Sequence, residues 1–260
     1  MVVKTEIGFT TPDAITVRGK NLSDEVLGRF DFVDMIYWLN FSRLPDEREK
    51  AMVNLILVAA ADHGLTPSAL SSRLTYLGAP ESVQGAVAAG LLGAGSRFLG
   101  TIQNVAEQLQ QAAQDLDTLE DEAVMDAARR LVQRSRQSRS PIHGLGHNIH
   151  VDGDPRVPVL RDVSEQHGYY GKHWRLALAV PRVFEQDHGK KLPLNAAGAL
   201  GAIIADMGLD AILARGLILV GRSAGLVAHL REEADQPIGL ELWDLVLDQD
   251  ERNVRPVKKG

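Results

Sequence analysis

Residues 45–64 read PDEREKAMVNLILVAAADHG. Asp46 followed three positions later by Glu49 is the pattern of a capping box, in which each side chain satisfies a free backbone N–H of the first turn. The run that follows, KAMVNLILVAAA, holds no glycine or proline, so a strong helix opens at Asp46 and continues until Gly64 and Pro67 end it. Asp62 and His63 therefore sit at the C-terminal end of this helix. Moving outward, residues 81–92 are apolar on nearly every side, which predicts a fully buried helix. Residues 101–114 and 120–137 are amphipathic, with their charges on outer faces. Helical periodicity returns at 159–167 and 173–187, and two further apolar helices are expected at 194–207 and 210–233, with Gly208 between them. Residues 14–22, AITVRGKNL, form the best hairpin candidate, with Gly19-Lys20-Asn21 as its turn. No repeat or linker interrupts the chain, so the expectation is all-α: one multi-helical bundle spanning 1–260, with a short N-terminal β-hairpin.

Composition agrees. Aromatic residues make up only 5% of the 260, so Ala, Leu, Val and Gly must fill the interior, which favours closely packed helices. A net charge of −6 argues against a nucleic-acid partner, which would need a basic surface. The absence of cysteine removes thiol catalysis and disulfides, and fits a reducing compartment. Residues 1–11 lack the basic-then-apolar pattern of a signal peptide. The longest uncharged stretch, 82–96, is too short for a membrane span. The expectation is a soluble, cytoplasmic protein without a membrane partner, and a charged tail at 248–260 that frays.

Three segments could carry chemistry. His63 follows a helix C-terminus, where the dipole favours imidazolium and raises a histidine pKa. An isolated histidine there more often caps the last carbonyls than meets a ligand. His143-Gly-Leu-Gly-His147-Asn-Ile-His150, followed by Asp154-Pro155-Arg156, spaces its histidines as a zinc-binding helix would. Gly144 and Gly146 oppose a regular helix, however, and no metal is expected. A glycine-flanked loop lets backbone N–H groups and His147 converge on a small anion instead. Arg134, Arg136 and Arg139 upstream either meet cofactor phosphates or form a solvated basic helix end. Arg222, within the apolar helix 210–233, needs a carboxylate from the protein or from a substrate, because an unpaired buried guanidinium is costly.

Taken in order, these segments resemble the citryl-CoA lyase branch of the citrate synthase superfamily, over residues 7–248. The similar motifs are A-D-H-G at 61–64, G-L-L-G-A-G-S-R-F-L-G at 90–100, G-L-G-H at 144–147, D-P-R at 154–156, L-N-A-A-G at 194–198 and G-R-S-A-G at 221–225. Each is weak alone, and six in register are specific. The resemblance implies a helical homodimer or higher homo-oligomer that takes coenzyme A as an acyl-CoA thioester. It implies retro-aldol cleavage of a 3-hydroxyacyl-CoA to an acyl-CoA and a keto acid. His63 and His147 match the histidines that bind and polarise substrate. Arg156 and Arg222 match the arginines that grip its carboxylates. Arg97, Arg136, Arg139 and the loop Gly144-Leu145-Gly146 would face coenzyme A.

The departures are as informative. The family's catalytic aspartate lies in N-V-D-G, whereas this chain has Asn195-Ala196-Ala197-Gly198. Asp206 and Asp210 lie two to four helical turns on, too far to step in. An arginine before the C-terminal Trp-Asp pair is also replaced, the stretch reading Gly239-Leu240-Glu241-Leu242-Trp243-Asp244. Gly95-Ser96-Arg97-Phe98 stands where condensing synthases have a P-L-H-G-G-like stretch, which favours the lyase branch. The expected function is thus a citryl-CoA lyase-like enzyme with a substrate other than citryl-CoA. The alternative is a catalytically weak CoA-binding regulatory or scaffold protein.

Overall fold

The computed structural model describes residues 3–253. The chain opens with a small antiparallel sheet, β1 (Gly8–Thr10), β2 (Ile15–Val17) and β3 (Lys20–Asn21), in that order. The hairpin turn is Arg18-Gly19, one residue earlier than expected, and Lys20 and Asn21 pair with Val17 and Thr16. Arg18 and Gly19 both take positive φ, 47° and 83°, the pairing that matches a two-residue turn to strand twist.

Eleven α-helices follow among the described residues. α1 (Phe32–Phe41) and α2 (Glu47–Ala61) each begin with a complete capping box, Asp31/Asp34 and the expected Asp46/Glu49. α3 (Pro67–Gly78) starts at the proline read as a stop: Pro67 is its first residue, and the Thr66 side chain accepts from the Ala69 N–H. A proline has no N–H to lose at that position, so one residue both bars the old helix and starts the new one. α4 (Val83–Leu92), α5 (Thr101–Ala112), α6 (Asp121–Ser138), α7 (Arg156–Gln166) and α8 (Lys172–His188) follow, then α9 (Ala196–Asp206), α10 (Ala211–Asp235) and α11 (Gly239–Asp248). The full burial expected of α4 is wrong. Only Ala86 and Gly90 are buried, and Leu92 is 86% exposed. Its small residues touch α3 closely on one side and leave the apolar rest open. Much of the fraying tail expected at 248–260 lies outside the described residues.

The core is built on α9, in which Ala196 and every residue from Gly198 to Ala205 are buried, between α5 and α8. Asp206 ends this helix under the N-terminus of α8, accepting from the N–H groups of Gly171, His173 and Trp174 and from His173 Nδ1. Its carboxylate is committed there, as a helix-end anion should be. α10 is long and apolar enough to cross a membrane by length and composition. Within this fold it packs against α2 and buries Arg222 midway, as core helices do. The contact depends on Gly221 and Gly225, four residues apart on one face. A Cβ at Gly225 would fall 1.9 Å from the Ala61 carbonyl oxygen, and one at Gly221 would fall 2.5 Å from that of Leu57. Only bare glycine backbone lets α10 lie along the last turn of α2, which brings Arg222 up to Asp62.

Candidate active site

α2 stops at Ala61, and the next residue, Asp62, is already extended. His63 thus stands outside the helix, and the dipole expected to raise its pKa does not. Burial, the Arg156 guanidinium and the neighbouring His147 hold it below the usual histidine value instead. It is the neutral imidazole that faces the site at neutral pH.

Opposite lies the loop between α6 and α7. Gly144 and Gly146 take φ of +86° and +71°, and a Cβ on Gly144 would meet Gly198 Cα at 2.6 Å. The loop is stitched to the start of α9: Asn195 N donates to Gly144 O at 2.9 Å, Gly146 N to Pro193 O at 2.7 Å, and Asn195 Nδ2 to Gly146 O at 2.6 Å. Asn195 also caps α9 by accepting from Gly198 N. The Gly146 N–H is therefore engaged within the protein, and the expectation that it turns to an anionic ligand is corrected.

His147 follows this stitched segment. Its Nδ1 accepts from the backbone N–H groups of Ile149 and His150 at 3.1 and 3.2 Å. An Nδ1 in that role carries no proton, so neutral His147 holds its proton on Nε2 as a donor. Burial and His150 keep its pKa below the usual value. The rings of His63, His147 and His150 cluster, with centroids 5.6 Å apart for the first pair and 4.6 Å for the second. One nitrogen of each lies within 4.8 Å of the others, so by distance this is a candidate metal site. The third member is His63 from a distant segment, with His143 left out, unlike the helical spacing considered from sequence. The hydrogen bonding opposes a metal: a ligating imidazole normally donates its other N–H, and His147 Nδ1 receives two donors instead. Arg156 adds a positive charge close by.

Asp154 is buried and accepts bidentately from Arg156 Nε and Nη2, at 2.9 and 2.8 Å, and from Ala196 N at 2.9 Å. Burial opposes its ionisation, but these donors hold its pKa far below the usual carboxylate range. It is a fixed anion that aims Arg156 and cannot act as a base near neutral pH. Arg222 differs. It is 3% exposed, its Nε and Nη1 have no hydrogen-bond partner among the described residues, and Asp62 Oδ1 stays 3.9 Å from Nη1. Burial, partly offset by Asp62, pushes its pKa down.

These groups share one cavity of about 550 Å³, in the range that holds small molecules. His63, Arg97, Gly144, Leu145, Gly146, His147, Arg156 and Arg222 all line it, with Ala197 in its wall. No Asp or Glu lines it among the described residues. Arg136 and Arg139 do not reach it; they are exposed, at the end of α6 and on its C-cap. Asp62, His150 and Asn195 were missed as site residues. Asn195 had a signal, its position as N-cap of an apolar helix, and His150 had one in its spacing of three from His147, whereas the partner of Asp62 lies too far along the chain to be read.

The family described as citrate synthase, C-terminal domain, matches residues 29–239. A citryl-CoA lyase from Hydrogenobacter thermophilus is 32% identical and superimposes with a TM-score of 0.80, covering 100% of this chain and 96% of that one. ATP citrate lyase from Methanothrix soehngenii, solved in complex with citrate and coenzyme A, shares the fold at 21% identity and a TM-score of 0.73, over 100% of this chain and 42% of that one. A probable ATP-citrate synthase from Dictyostelium discoideum is 26% identical over 88% of this chain and 38% of its own length. The chain thus spans well under half of that curated relative.

Proposed function

This chain belongs to the citrate synthase family, and we propose that it cleaves a carbon–carbon bond in a 3-hydroxyacyl-CoA thioester, releasing an acyl-CoA and a keto acid. The observation that carries this reading is Arg222, a buried guanidinium with two unsatisfied nitrogens on a cavity that also presents two neutral histidines. A substrate carboxylate satisfies it, and a bidentate fork suits that shape. Arg156, whose Nε and Nη2 are held by Asp154, offers its remaining nitrogen.

His63, neutral with a free lone pair, takes the proton of the substrate hydroxyl. The carbon–carbon bond breaks, the hydroxyl carbon becomes the keto group, and the electron pair moves into the thioester as an enolate. The Nε2–H of His147 donates to the enolate oxygen where charge develops. The α-carbon then takes one proton, from His63 directly or through water, and the enzyme returns to its starting state. The aspartate that the family resemblance places at this wall is Ala197, so proton return falls to a histidine or water. That loss favours a substrate other than citryl-CoA. Coenzyme A in a structural relative supports the thioester, as does Arg97 on the cavity wall. We also take the protein to act in the cytoplasm as a homodimer or higher homo-oligomer, which the exposed apolar residues of α4 support.

A second reading, a weakly catalytic CoA-binding regulator, is favoured by Ala197 alone. Incubation with citryl-CoA and a panel of 3-hydroxyacyl-CoA thioesters separates the two, with acyl-CoA and keto acids followed by mass spectrometry. Cleavage that His147→Ala abolishes is the expected result. Tight coenzyme A binding without turnover of any thioester would overturn the lyase.

A further inference from the structure

Arg222 has no hydrogen bond at Nε or Nη1 although the Asp62 carboxylate lies 3.9 Å away, and a chain of contacts stands behind Asp62. His229 follows Arg222 by seven residues on α10 and so shares its face. Asp62 Oδ1 lies 2.8 Å from His229 Nε2, and Oδ2 accepts from Gly64 N at 2.8 Å. On the far side of the ring, Arg73 Nε and Nη2 lie 3.2 and 3.0 Å from His229 Nδ1. A guanidinium only donates, so Nδ1 is the acceptor, and the ring proton sits on Nε2, pointing at Asp62. Arg73 is itself locked by Glu233 at 2.8 Å and by Glu232. Each oxygen of Asp62 is thereby held by a donor other than Arg222. At 3.9 Å its charge still offsets that of Arg222, but the gap is too long for a hydrogen bond.

We infer that His229, backed by Arg73, is a positioning residue that keeps Asp62 from closing onto Arg222 and so reserves Arg222 Nε and Nη1 for a substrate carboxylate. The inference rests on the proposed function in one respect, that the ligand of Arg222 is a carboxylate. Without His229, Asp62 Oδ1 is free to swing to Arg222 and compete with substrate from inside the protein.

Two variants test this on the full chain. In His229→Gln the amide can donate to Asp62 and accept from Arg73, whereas His229→Leu fills space and does neither. Citrate affinity is measured by calorimetry, and the Arg222 Nε–H signal is followed by nitrogen-15 NMR in the free protein, which needs no ligand. The leucine variant should bind citrate about tenfold more weakly and move the Arg222 signal, while the glutamine variant stays within about twofold of the native protein. For any thioester turned over, KM should rise more than kcat falls. Equal losses in both variants would overturn the inference, because a merely structural histidine behaves that way, and so would native citrate affinity in the leucine variant. If the native protein binds neither citrate nor the keto acid released from any thioester it cleaves, the carboxylate reading fails. Positioning then stands only if the Arg222 signal moves with leucine and not with glutamine.

Discussion

Arg73 and Arg222 are both buried, on the packed helices α3 and α10, at 1% and 3% exposure, yet they live in opposite circumstances. Arg73 is held by Glu233, Glu232 and His229, every one of them on α10. Arg222 has a distant Asp62 and two nitrogens with nothing to bond. Removing a guanidinium from water is costly in either place. At Arg73 the protein answers that cost during folding, and the same carboxylate, Glu233, goes on to accept from the first N–H groups around α11, those of Ile238 and Gly239. At Arg222 no hydrogen bond to Nε or Nη1 answers that cost, and on the function proposed above a ligand carboxylate does. Burial alone thus separates nothing; the partner list tells a structural arginine from one that serves a site.

The contrast breaks most visibly through stability. Arg73→Met strands Glu233 in the interior, so unfolding by urea should show a loss of about 3–5 kcal/mol. Arg222→Met should leave stability unchanged or raise it, since it removes a buried charge that has no hydrogen bond at Nε or Nη1 and Asp62 only at 3.9 Å. Its damage should instead appear as about a hundredfold fall in kcat/KM for the thioester cleaved. If the two methionine variants lose stability alike, the comparison fails.

Gly225→Ala sharpens the contrast by moving α10 instead of changing either arginine. The added Cβ would sit 1.9 Å from the Ala61 carbonyl oxygen, so the helices must part, at about 1–3 kcal/mol. Substrate KM should rise with it, as Arg222 leaves its place beside Asp62; an unchanged melting temperature would show that the glycine seam is not needed. The smallest effect is in the pH dependence. His63 and His147 have folded-state pKa values below the ordinary 6.5, so the unfolded chain binds these protons first. Their contribution to stability is complete above about pH 6.5 and is lost as pH falls through the depressed folded values. A His63→Asn, His147→Asn double variant should lose less stability between pH 7.5 and 5.5 than the native protein, measured as urea midpoints. Equal losses would place the sensitivity elsewhere.

Much of this was legible in the order of residues. α2 and α10 could be read because a capping side chain precedes a long apolar run, and the observed bounds differ from expectation by a residue or two. α1, α3 and α11 escape the sequence reading although they are no shorter than α4, and in α3 the start signal reads as a stop. The all-apolar look of residues 81–92 misled because Gly and Ala satisfy close packing on one side without requiring cover on the other. His63, His147, Arg156 and Arg222 could be singled out by type and motif, and the cavity brings them together. What could not be read is pairing at a distance. Asp62 meets His229 across 167 positions, and Arg73 meets Glu233 across 160. Nothing in local periodicity announces such partners, and only they decide which arginine stays hungry.

The stitching of Gly144–Gly146 to Pro193–Asn195 has a kinetic meaning. The segment leading to His147 is ordered when the protein folds, by hydrogen bonds that run to backbone rather than to ligand. A ligand arriving at this wall has little chain to immobilise, so the entropy of arranging His147 is already spent. The stretch between α4 and α5 that carries Arg97 and Phe98 is held mainly within itself, Phe98 N and Gly100 N donating to Gly95 O, with Arg215 Nη2 of α10 reaching Gly100 O at 3.5 Å. If the ligand is the thioester proposed above, the wall bearing His147 is finished before it arrives.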